Sequence, residues 1–257
     1  EHPDVHATHR EVALRLAPRS RQPRGPPVHR LFAPAGLGLT PAAPTGVRRI
    51  GLMGGSFDPV HQAHVALATE ALRHLGLTEV RWIPVGQPWQ KARQLAAPQH
   101  RLAMVALAIA HEPRFVLDPI EVNRPGPSYT LDTVQALQAQ HRQTQAADST
   151  AEWFLIIGQD QYANLPTWHG WQTLLQCVTL AVSCRGGLAP QAPSELAQVP
   201  HRMVELPLPP LAVSSTDIRA RLSRGQGAQT LAPALVPVTV AGYIANHQLY
   251  APPGTPC

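Results

Sequence analysis

The chain has 257 residues but only three cysteines, a single lysine and no long hydrophobic run. The cysteines, Cys177, Cys184 and Cys257, form no Cys-x-x-Cys pair, which argues against a disulfide framework and against a cysteine-rich zinc site. An odd number of scattered cysteines favours the reducing cytoplasm, so we expect a cytoplasmic protein. Because no apolar run approaches the roughly 18–20 residues that cross a bilayer, we expect no membrane segment.

Little net charge remains outside the first 46 residues. The formal net charge is +5, and residues 1–46 hold six arginines against three acidic residues, which leaves about +2 for the rest of the chain. That excess is too small for a nucleic-acid footprint, and no basic stripe with interleaved aromatic residues appears. We therefore expect no nucleic-acid partner.

Residues 1–46 also differ from the rest in composition. They contain eight of the 28 prolines and no sustained apolar period, so they cannot bury enough surface to offset the entropy of ordering. We predict a disordered Pro/Arg-rich extension over 1–46 and one folded domain over 47–257. The arginine-rich, acid-poor composition also fits a targeting peptide, which stays an open alternative.

From residue 47 onward, apolar strands alternate with helical patterns. Strands are predicted at Ile50–Met53, Val80–Val85, Phe115–Leu117, Trp153–Ile157, Val178–Ser183 and Met203–Leu206. Helices are predicted near Gln62–Leu75, Gln99–Ala110, Tyr129–Gln140 and Tyr162–Leu175. This alternation predicts an α/β fold with a doubly wound, Rossmann-like parallel sheet covered on both faces. Such sheets bind ligands beyond the carboxyl ends of their strands, where the strand order reverses.

The segment after the first strand, residues 54–64, reads GGSFDPVHQAH and leads into a helix. Gly54 and Gly55 allow a tight turn and a close approach of backbone N–H groups to a ligand. His61 and His64 lie three residues apart, so they share one face of the helix start. A helix N-terminus attracts anions, and two added imidazoles predict a polyphosphate site and hence a nucleotide site. Half of a zinc site is the alternative, but zinc needs further ligands.

A second helix start lies near the C-terminus, where residues 213–219 read VSSTDIR. Ser214, Ser215 and Thr216 supply hydroxyl groups at the predicted helix cap, and Arg219 follows one turn later. An ordinary structural cap is the alternative interpretation.

Three further residues follow predicted strands on the ligand side. Lys91 is the only lysine, in a loop after the second strand, where a flexible ammonium can follow phosphate charge; a solvated lysine is the alternative. Asp160 comes just past a strand and can accept hydrogen bonds from ribose hydroxyls. Trp168 can stack on a flat, electron-poor ring, or it can be a core residue.

Two motifs carry a resemblance to a known superfamily. Residues 54–64 resemble the G-x-F-x-P-x-H-x-G-H signature of the nucleotidyltransferases, with Ala63 where the family usually has glycine. Residues 213–219 resemble the I-S-S-T-x-I-R motif that binds the β- and γ-phosphates of ATP in that superfamily, with Val213 at its first position. Lys91 corresponds to a lysine in a P-x-x-K loop, at slightly altered spacing.

Three other segments narrow the resemblance. The sequences PSYT at 127–130, IIGQD at 156–160 and PTW at 166–168 resemble bacterial nicotinate-nucleotide adenylyltransferases over about residues 48–250. The resemblance implies a catalytic domain over 47–257 that transfers the adenylyl group of ATP to nicotinate mononucleotide in NAD biosynthesis, with Mg²⁺ held mainly by substrate phosphates.

The resemblance also implies roles for individual residues. Implied catalytic residues are His61, His64, Lys91 and Arg219. Implied ATP contacts are Gly54, Gly55, Ser56, Phe57, His61, His64, Gly158, Asp160, Ser214, Ser215, Thr216, Ile218 and Arg219. Implied contacts to the nicotinate nucleotide are Ser56, Lys91, Tyr129, Thr130 and Trp168. The alternatives are a sister enzyme that adenylates phosphopantetheine or transfers CMP, a nucleotide-sensing module without catalysis, and a fragment of an aminoacyl-tRNA synthetase.

Overall fold

The computed structural model describes residues 47–88, 94–144, 150–183, 190–209 and 211–252. Its strands are β1 (Arg48–Gly55), β2 (Glu79–Pro84), β3 (Phe115–Leu117), β4 (Ala151–Gly158), β5 (Thr179–Ser183) and β6 (Met203–Leu206). Its helices are α1 (Gln62–His74), α2 (Pro98–Ile109), α3 (Ile120–Asn123), α4 (Thr130–Thr144), α5 (Gln159–Asn164), α6 (Trp171–Cys177), α7 (Ser194–Ala197), α8 (Ser215–Ser223) and α9 (Val238–Asn246). The predicted extension, 1–46, and Lys91 lie outside the described residues.

The strands form one parallel sheet in the order β3-β2-β1-β4-β5-β6. The chain builds outward from β1 through β2 to β3, then returns to the other side of β1 and continues from β4 to β6. The order therefore reverses between β1 and β4, which confirms the predicted doubly wound fold. The carboxyl ends of β1 and β4 meet at the position where such sheets bind ligands.

Apolar side chains cover both faces of the sheet. Successive residues of a strand point to opposite faces, and the strand residues divide accordingly into two buried clusters. Met53 and Ile156 pack in one cluster with residues of α1, α2, α8 and α9. Ile50, Leu52 and Leu155 pack in the other with residues of α4, α5 and α6. None of the described helices combines the length and the apolar character needed to cross a membrane.

One predicted helix is wrong. The pattern over Tyr162–Leu175 predicted a continuous helix, but α5 ends at Asn164, a 3₁₀ turn spans Leu165–Thr167, and α6 begins at Trp171. Gly170 at the start of α6 has φ +62°, a left-handed conformation that interrupts a helix, and a Cβ at this position would collide with Leu131. The break places Trp168 in a loop beside the carboxyl end of β4.

Candidate active site

Three elements meet at one cavity of about 470 Å³, within the roughly 300–1,000 Å³ range of small-molecule sites. Strands β1 and β4 end there at Gly55 and Gly158, and helix α8 begins there at Ser215. The polar side chains of this cavity include those of Ser56, His61, His64, Asp160, Ser214 and Ser215. The topology thus joins at one place the motifs that the sequence separates by about 150 residues.

Phe57 anchors the turn after β1 to the hydrophobic core. This residue has φ +44°, and its side chain is fully buried. Its ring packs edge-on against His64, with ring centroids 5.1 Å apart, and also contacts Trp82. A Cβ added at Gly55 would lie 3.0 Å from Cζ of Phe57, so glycine lets the backbone pass close over this ring. Phe57 therefore supports the loop from the core, and its side chain is turned away from a ligand.

His61 and His64 form a stacked pair at the start of α1. His61 is the cap residue, and its ring centroid lies 3.7 Å from that of His64 with an interplanar angle of 21°. Nδ1 of His64 accepts a hydrogen bond from the backbone N–H of His61 at 3.2 Å. In neutral His64 the proton is therefore on Nε2, which makes that nitrogen a donor. Both rings line the cavity.

Burial keeps His61 uncharged. The residue is only 6% exposed, and desolvation lowers its pKa from 6.5 to about 4, against a smaller opposing effect of a backbone hydrogen bond. At neutral pH the site therefore presents His61 as a neutral imidazole at a positive helix end. A bound polyphosphate would favour the charged form, so anion binding and proton uptake by His61 are coupled.

Helix α8 is tied directly to the loop that carries the histidines. The Ser215 hydroxyl donates to the carbonyl oxygen of Pro59 at 2.9 Å. Arg219 donates from Nη1 to the carbonyl oxygen of Asp58 at 2.6 Å and from Nη2 to the Thr216 hydroxyl at 3.2 Å. These bonds fix the start of α8 against the turn after β1.

Ser214, the second residue of the α8 motif, forms an ordinary helix cap. Oγ of Ser214 accepts from the backbone N–H of Asp217 at 3.1 Å, while the side chain still borders the cavity. Ile218 is fully buried in the core, so only its backbone can reach a ligand. The start of α8 therefore contains both a structural helix cap and a side chain that lines the cavity.

The opposite wall of the cavity comes from the residues around α4 and from the loop after α5. Thr130 and Trp168 line it, and the half-buried Trp168 also packs on the apolar cluster beneath the sheet. The Tyr129 ring packs against His169 in a tilted arrangement, with ring centroids 4.5 Å apart and an interplanar angle of 32°. Trp168 thus combines the two roles, core packing and pocket lining, that the sequence left as alternatives.

Comparison with known proteins agrees with this geometry. Residues 52–221 match the cytidylyltransferase-like family model. A protein of Methylibium petroleiphilum named "probable nicotinate-nucleotide adenylyltransferase" is 54% identical over 206 residues, 80% of this chain and 94% of that protein. A protein of Bordetella petrii with the same name is 47% identical over 208 residues, 79% of this chain and all of that protein. The chain belongs to the nicotinate-nucleotide adenylyltransferase family.

A solved structure shares the fold. The chain is similar to the nicotinic acid mononucleotide adenylyltransferase of Plasmodium falciparum complexed with NaAD, with a TM-score of 0.65, 17% identity, and coverage of 79% of this chain and 97% of that one. At this identity the likeness shows the α/β nucleotidyltransferase fold alone.

The residues singled out by the resemblance to nicotinate-nucleotide adenylyltransferases occupy three kinds of position. Those that line the cavity are Gly54, Gly55, Ser56, His61, His64, Thr130, Gly158, Asp160, Trp168, Ser214 and Ser215. Phe57 and Ile218 are buried. Arg219 joins α8 to the loop that carries the histidines, Thr216 bonds Arg219 within α8, and Tyr129 packs against His169. Lys91 stays a prediction, since it lies outside the described residues.

A buried polar network at the cavity wall was not predicted from the sequence. The Thr133 hydroxyl donates to Oε1 of Glu121 at 2.8 Å, and Arg124 donates to the same hydroxyl oxygen at 3.0 Å. Burial raises the pKa of the Glu121 carboxyl above its usual range, partly offset by the hydrogen bond from Thr133. The Ser128 hydroxyl accepts from the backbone N–H of Gly86 at 3.1 Å. A lone glutamate in a four-residue helix gives no sequence signal for this position.

Proposed function

We propose that the chain transfers the adenylyl group of ATP to nicotinate mononucleotide, giving nicotinate adenine dinucleotide and pyrophosphate, as a step of NAD biosynthesis. The observation that carries the proposal is one cavity lined by the stacked histidines, the start of α8 and the wall of Thr130 and Trp168. The names of the 54% and 47% identical relatives support the same activity.

The reaction needs no protein nucleophile. An oxygen of the 5′-phosphate of nicotinate mononucleotide attacks the α-phosphorus of ATP in line, and the bond from that phosphorus to the bridging oxygen breaks. Pyrophosphate takes the electron pair and leaves. Catalysis then rests on positioning both substrates and on stabilising charge in the transition state.

The histidine pair supplies charge stabilisation where the bond breaks. Neutral His64 would donate its Nε2 proton to the bridging oxygen or the α-phosphate of the bound substrate, because its Nδ1 accepts from the backbone N–H of His61. His61 holds the neighbouring phosphate, and the approach of that anion offsets the burial that disfavours its charged form. The nucleotide would lie along the turn after β1 and contact the backbone of Gly54, Gly55, Ser56 and Phe57.

The start of α8 holds the leaving pyrophosphate. Unpaired N–H groups and the dipole at a helix N-terminus favour anions, and the hydroxyls of Ser214 and Thr216 would add donors. The Ser215 hydroxyl already donates to the Pro59 carbonyl, so Ser215 would contribute its backbone N–H. Arg219 lies one turn into the helix and supplies the fixed positive charge. Since Arg219 and Ser215 also bond the carbonyls of Asp58 and Pro59, the pyrophosphate site and the histidine site are held at a constant separation.

The other wall selects the acceptor nucleotide. Trp168 offers an aromatic surface for the pyridine ring, and Thr130 and Tyr129 lie beside it. Ser56 and Lys91 would contact the phosphate of this nucleotide, while Gly158 and Asp160 at the end of β4 would meet the ribose of ATP.

The cavity suits a magnesium ion that arrives with its nucleotide. Among the described residues, no group of three or more His, Cys, Asp or Glu side chains could hold a metal. Asp160 is the exposed carboxylate at the cavity, and Mg²⁺ prefers phosphate oxygens, water and one or two carboxylates. When bound, the ion would neutralise phosphate charge and would be held mainly by the phosphate oxygens of the substrate.

Product analysis tests the proposal. ATP labelled at the α-phosphorus is incubated with the protein and nicotinate mononucleotide, and the products are separated. We expect the label in nicotinate adenine dinucleotide and one pyrophosphate released per dinucleotide formed. Label that stays in ATP would reject catalysis and favour a nucleotide-sensing module, whereas label in AMP would indicate hydrolysis.

A further inference from the structure

A buried carboxylate belongs to the turn after β1. Asp58, within the GGSFDP turn, is fully buried, and its Oδ1 accepts hydrogen bonds from the Tyr250 hydroxyl at 2.6 Å and from the backbone N–H of Ala96 at 3.3 Å. Its backbone carbonyl meanwhile accepts from Arg219. One residue therefore connects the turn after β1 with α8, with the segment before α2, and with the end of the described chain.

A buried arginine completes this arrangement. Arg101 is 1% exposed, and it donates from Nη1 to the carbonyl oxygen of Ser56 at 3.2 Å and from Nε to that of Ala96 at 3.0 Å. Its charge is attracted to the Asp58 carboxylate. Burying both charges carries a large desolvation cost, which is offset only when the pair is well placed and further hydrogen-bonded. The bond to Ser56 ends on the backbone of a residue that lines the cavity.

Tyr250 reaches Asp58 from the segment that follows α9. Its backbone has φ +64°, a conformation that residues other than glycine seldom adopt. Such strain persists only where surrounding contacts hold it, and it concentrates at functional positions. Tyr250 and Asp58 are 192 positions apart, which makes this the longest-range side-chain hydrogen bond of the arrangement.

We propose that Tyr250 is a positioning residue for the adenylyl transfer, acting through Asp58. Its hydroxyl holds the Asp58 carboxylate, the turn keeps its shape, and the Asp58 carbonyl stays in place for Arg219. Tyr250 itself touches no substrate in this role. The catalytic part of the inference rests on the proposed function, but the effect on the turn does not.

Tyr243 provides a matched control. Its hydroxyl lies 3.0 Å from Nδ1 of His100, within hydrogen-bond distance, and it belongs to α9 in the same C-terminal segment. Both tyrosines are partly buried. Tyr250→Phe and Tyr243→Phe each remove one hydroxyl and leave the ring, so they should cost similar stability, while only Tyr250→Phe releases Asp58.

Two measurements on the full chain test the role. In steady-state kinetics with ATP and nicotinate mononucleotide, Tyr250→Phe should lower kcat by roughly 10–100-fold, the scale of a small misplacement of reacting groups, with KM for nicotinate mononucleotide nearly unchanged. Tyr243→Phe should keep the wild-type kcat. In amide hydrogen exchange, residues 54–64 should exchange faster in Tyr250→Phe than in wild type. Their exchange rates in Tyr243→Phe should equal those of wild type.

The two measurements separate this inference from the proposed function. If wild type shows no turnover, the proposed function fails, and exchange in 54–64 alone decides whether Tyr250 holds the turn. Equal kcat values for the two variants, or a lower kcat for Tyr250→Phe without faster exchange in 54–64, would overturn the positioning role.

Discussion

Nδ1 of His64 accepts a hydrogen bond from the backbone N–H of His61 at 3.2 Å, which ties the second histidine of the pair to the cap that the first one forms. This bond fixes the tautomer of neutral His64, with the proton on Nε2, in a residue that lines the cavity. Preorganised donors of this kind contribute most to stabilising developing charge.

Replacing His64 by alanine should therefore slow adenylyl transfer by roughly 10²–10³-fold, the effect of losing one transition-state donor. The fold should persist, since the His64 ring is only partly buried at the cavity. Rapid-quench measurement of dinucleotide formation, with a thermal melt on the same sample, checks both statements. A variant with near-normal kcat would remove His64 from the mechanism.

His61 should make stability depend on pH. Its folded-state pKa of about 4 lies below the ordinary 6.5, so the unfolded chain binds a proton at this residue that the folded chain does not. The free energy of unfolding should therefore fall as the pH drops from 6.5 towards 4, by up to about 3 kcal/mol from this residue, and show no such contribution above pH 6.5. His61→Asn should remove this part of the slope. Denaturant titrations at several pH values measure it, and identical slopes for the two proteins would contradict the assignment.

Trp168→Ala should raise KM for nicotinate mononucleotide and leave KM for ATP almost unchanged, because the loss of a stacking partner costs about 1–3 kcal/mol of binding. Trp171→Ala is the control, since Trp171 is also half-buried against the same apolar cluster. Both variants should have a lower melting temperature than wild type, but only Trp168→Ala should raise KM for nicotinate mononucleotide. Parallel increases in both KM values for both variants would mean that Trp168 acts through packing alone.

Glu121→Gln should stabilise the protein at high pH. Burial raises the folded-state pKa of this carboxyl, so its favourable contribution is complete below the ordinary pKa of 4.5 and is lost as the pH rises through the raised value. Glutamine keeps an acceptor for the Thr133 hydroxyl and carries no charge. The melting temperature of the variant should exceed that of wild type at pH 8 and lose this advantage at pH 4. A difference in melting temperature in favour of the variant that grows towards acid pH would contradict the raised pKa of Glu121.

Removing residues 1–46 should leave kcat and melting temperature nearly unchanged, because this segment has no sustained apolar period with which to dock on the folded domain. Side-by-side melts and kinetics of the full chain and of residues 47–257 measure this. Loss of activity in the shorter chain would show that the boundary at residue 47 is misplaced.

The strands were predictable because parallel strands buried on both faces are almost continuously apolar, as in Ile50–Met53 and Trp153–Ile157. His61, His64 and Ser214 were predictable because their positions at helix starts are encoded within a few residues. The hydrogen bond between Asp58 and Tyr250 was not, since no local pattern links residues 192 positions apart. Gly170 was missed as a helix break because its effect depends on contact with Leu131, from another helix.

A panel of acceptors offered with ATP to one preparation tests the proposed activity most directly. The acceptors are nicotinate mononucleotide, nicotinamide mononucleotide and 4′-phosphopantetheine, and the rate of pyrophosphate release is measured. We expect the highest kcat/KM with nicotinate mononucleotide and no turnover with phosphopantetheine. A higher kcat/KM with phosphopantetheine, or no pyrophosphate release with any acceptor, would contradict the proposed function.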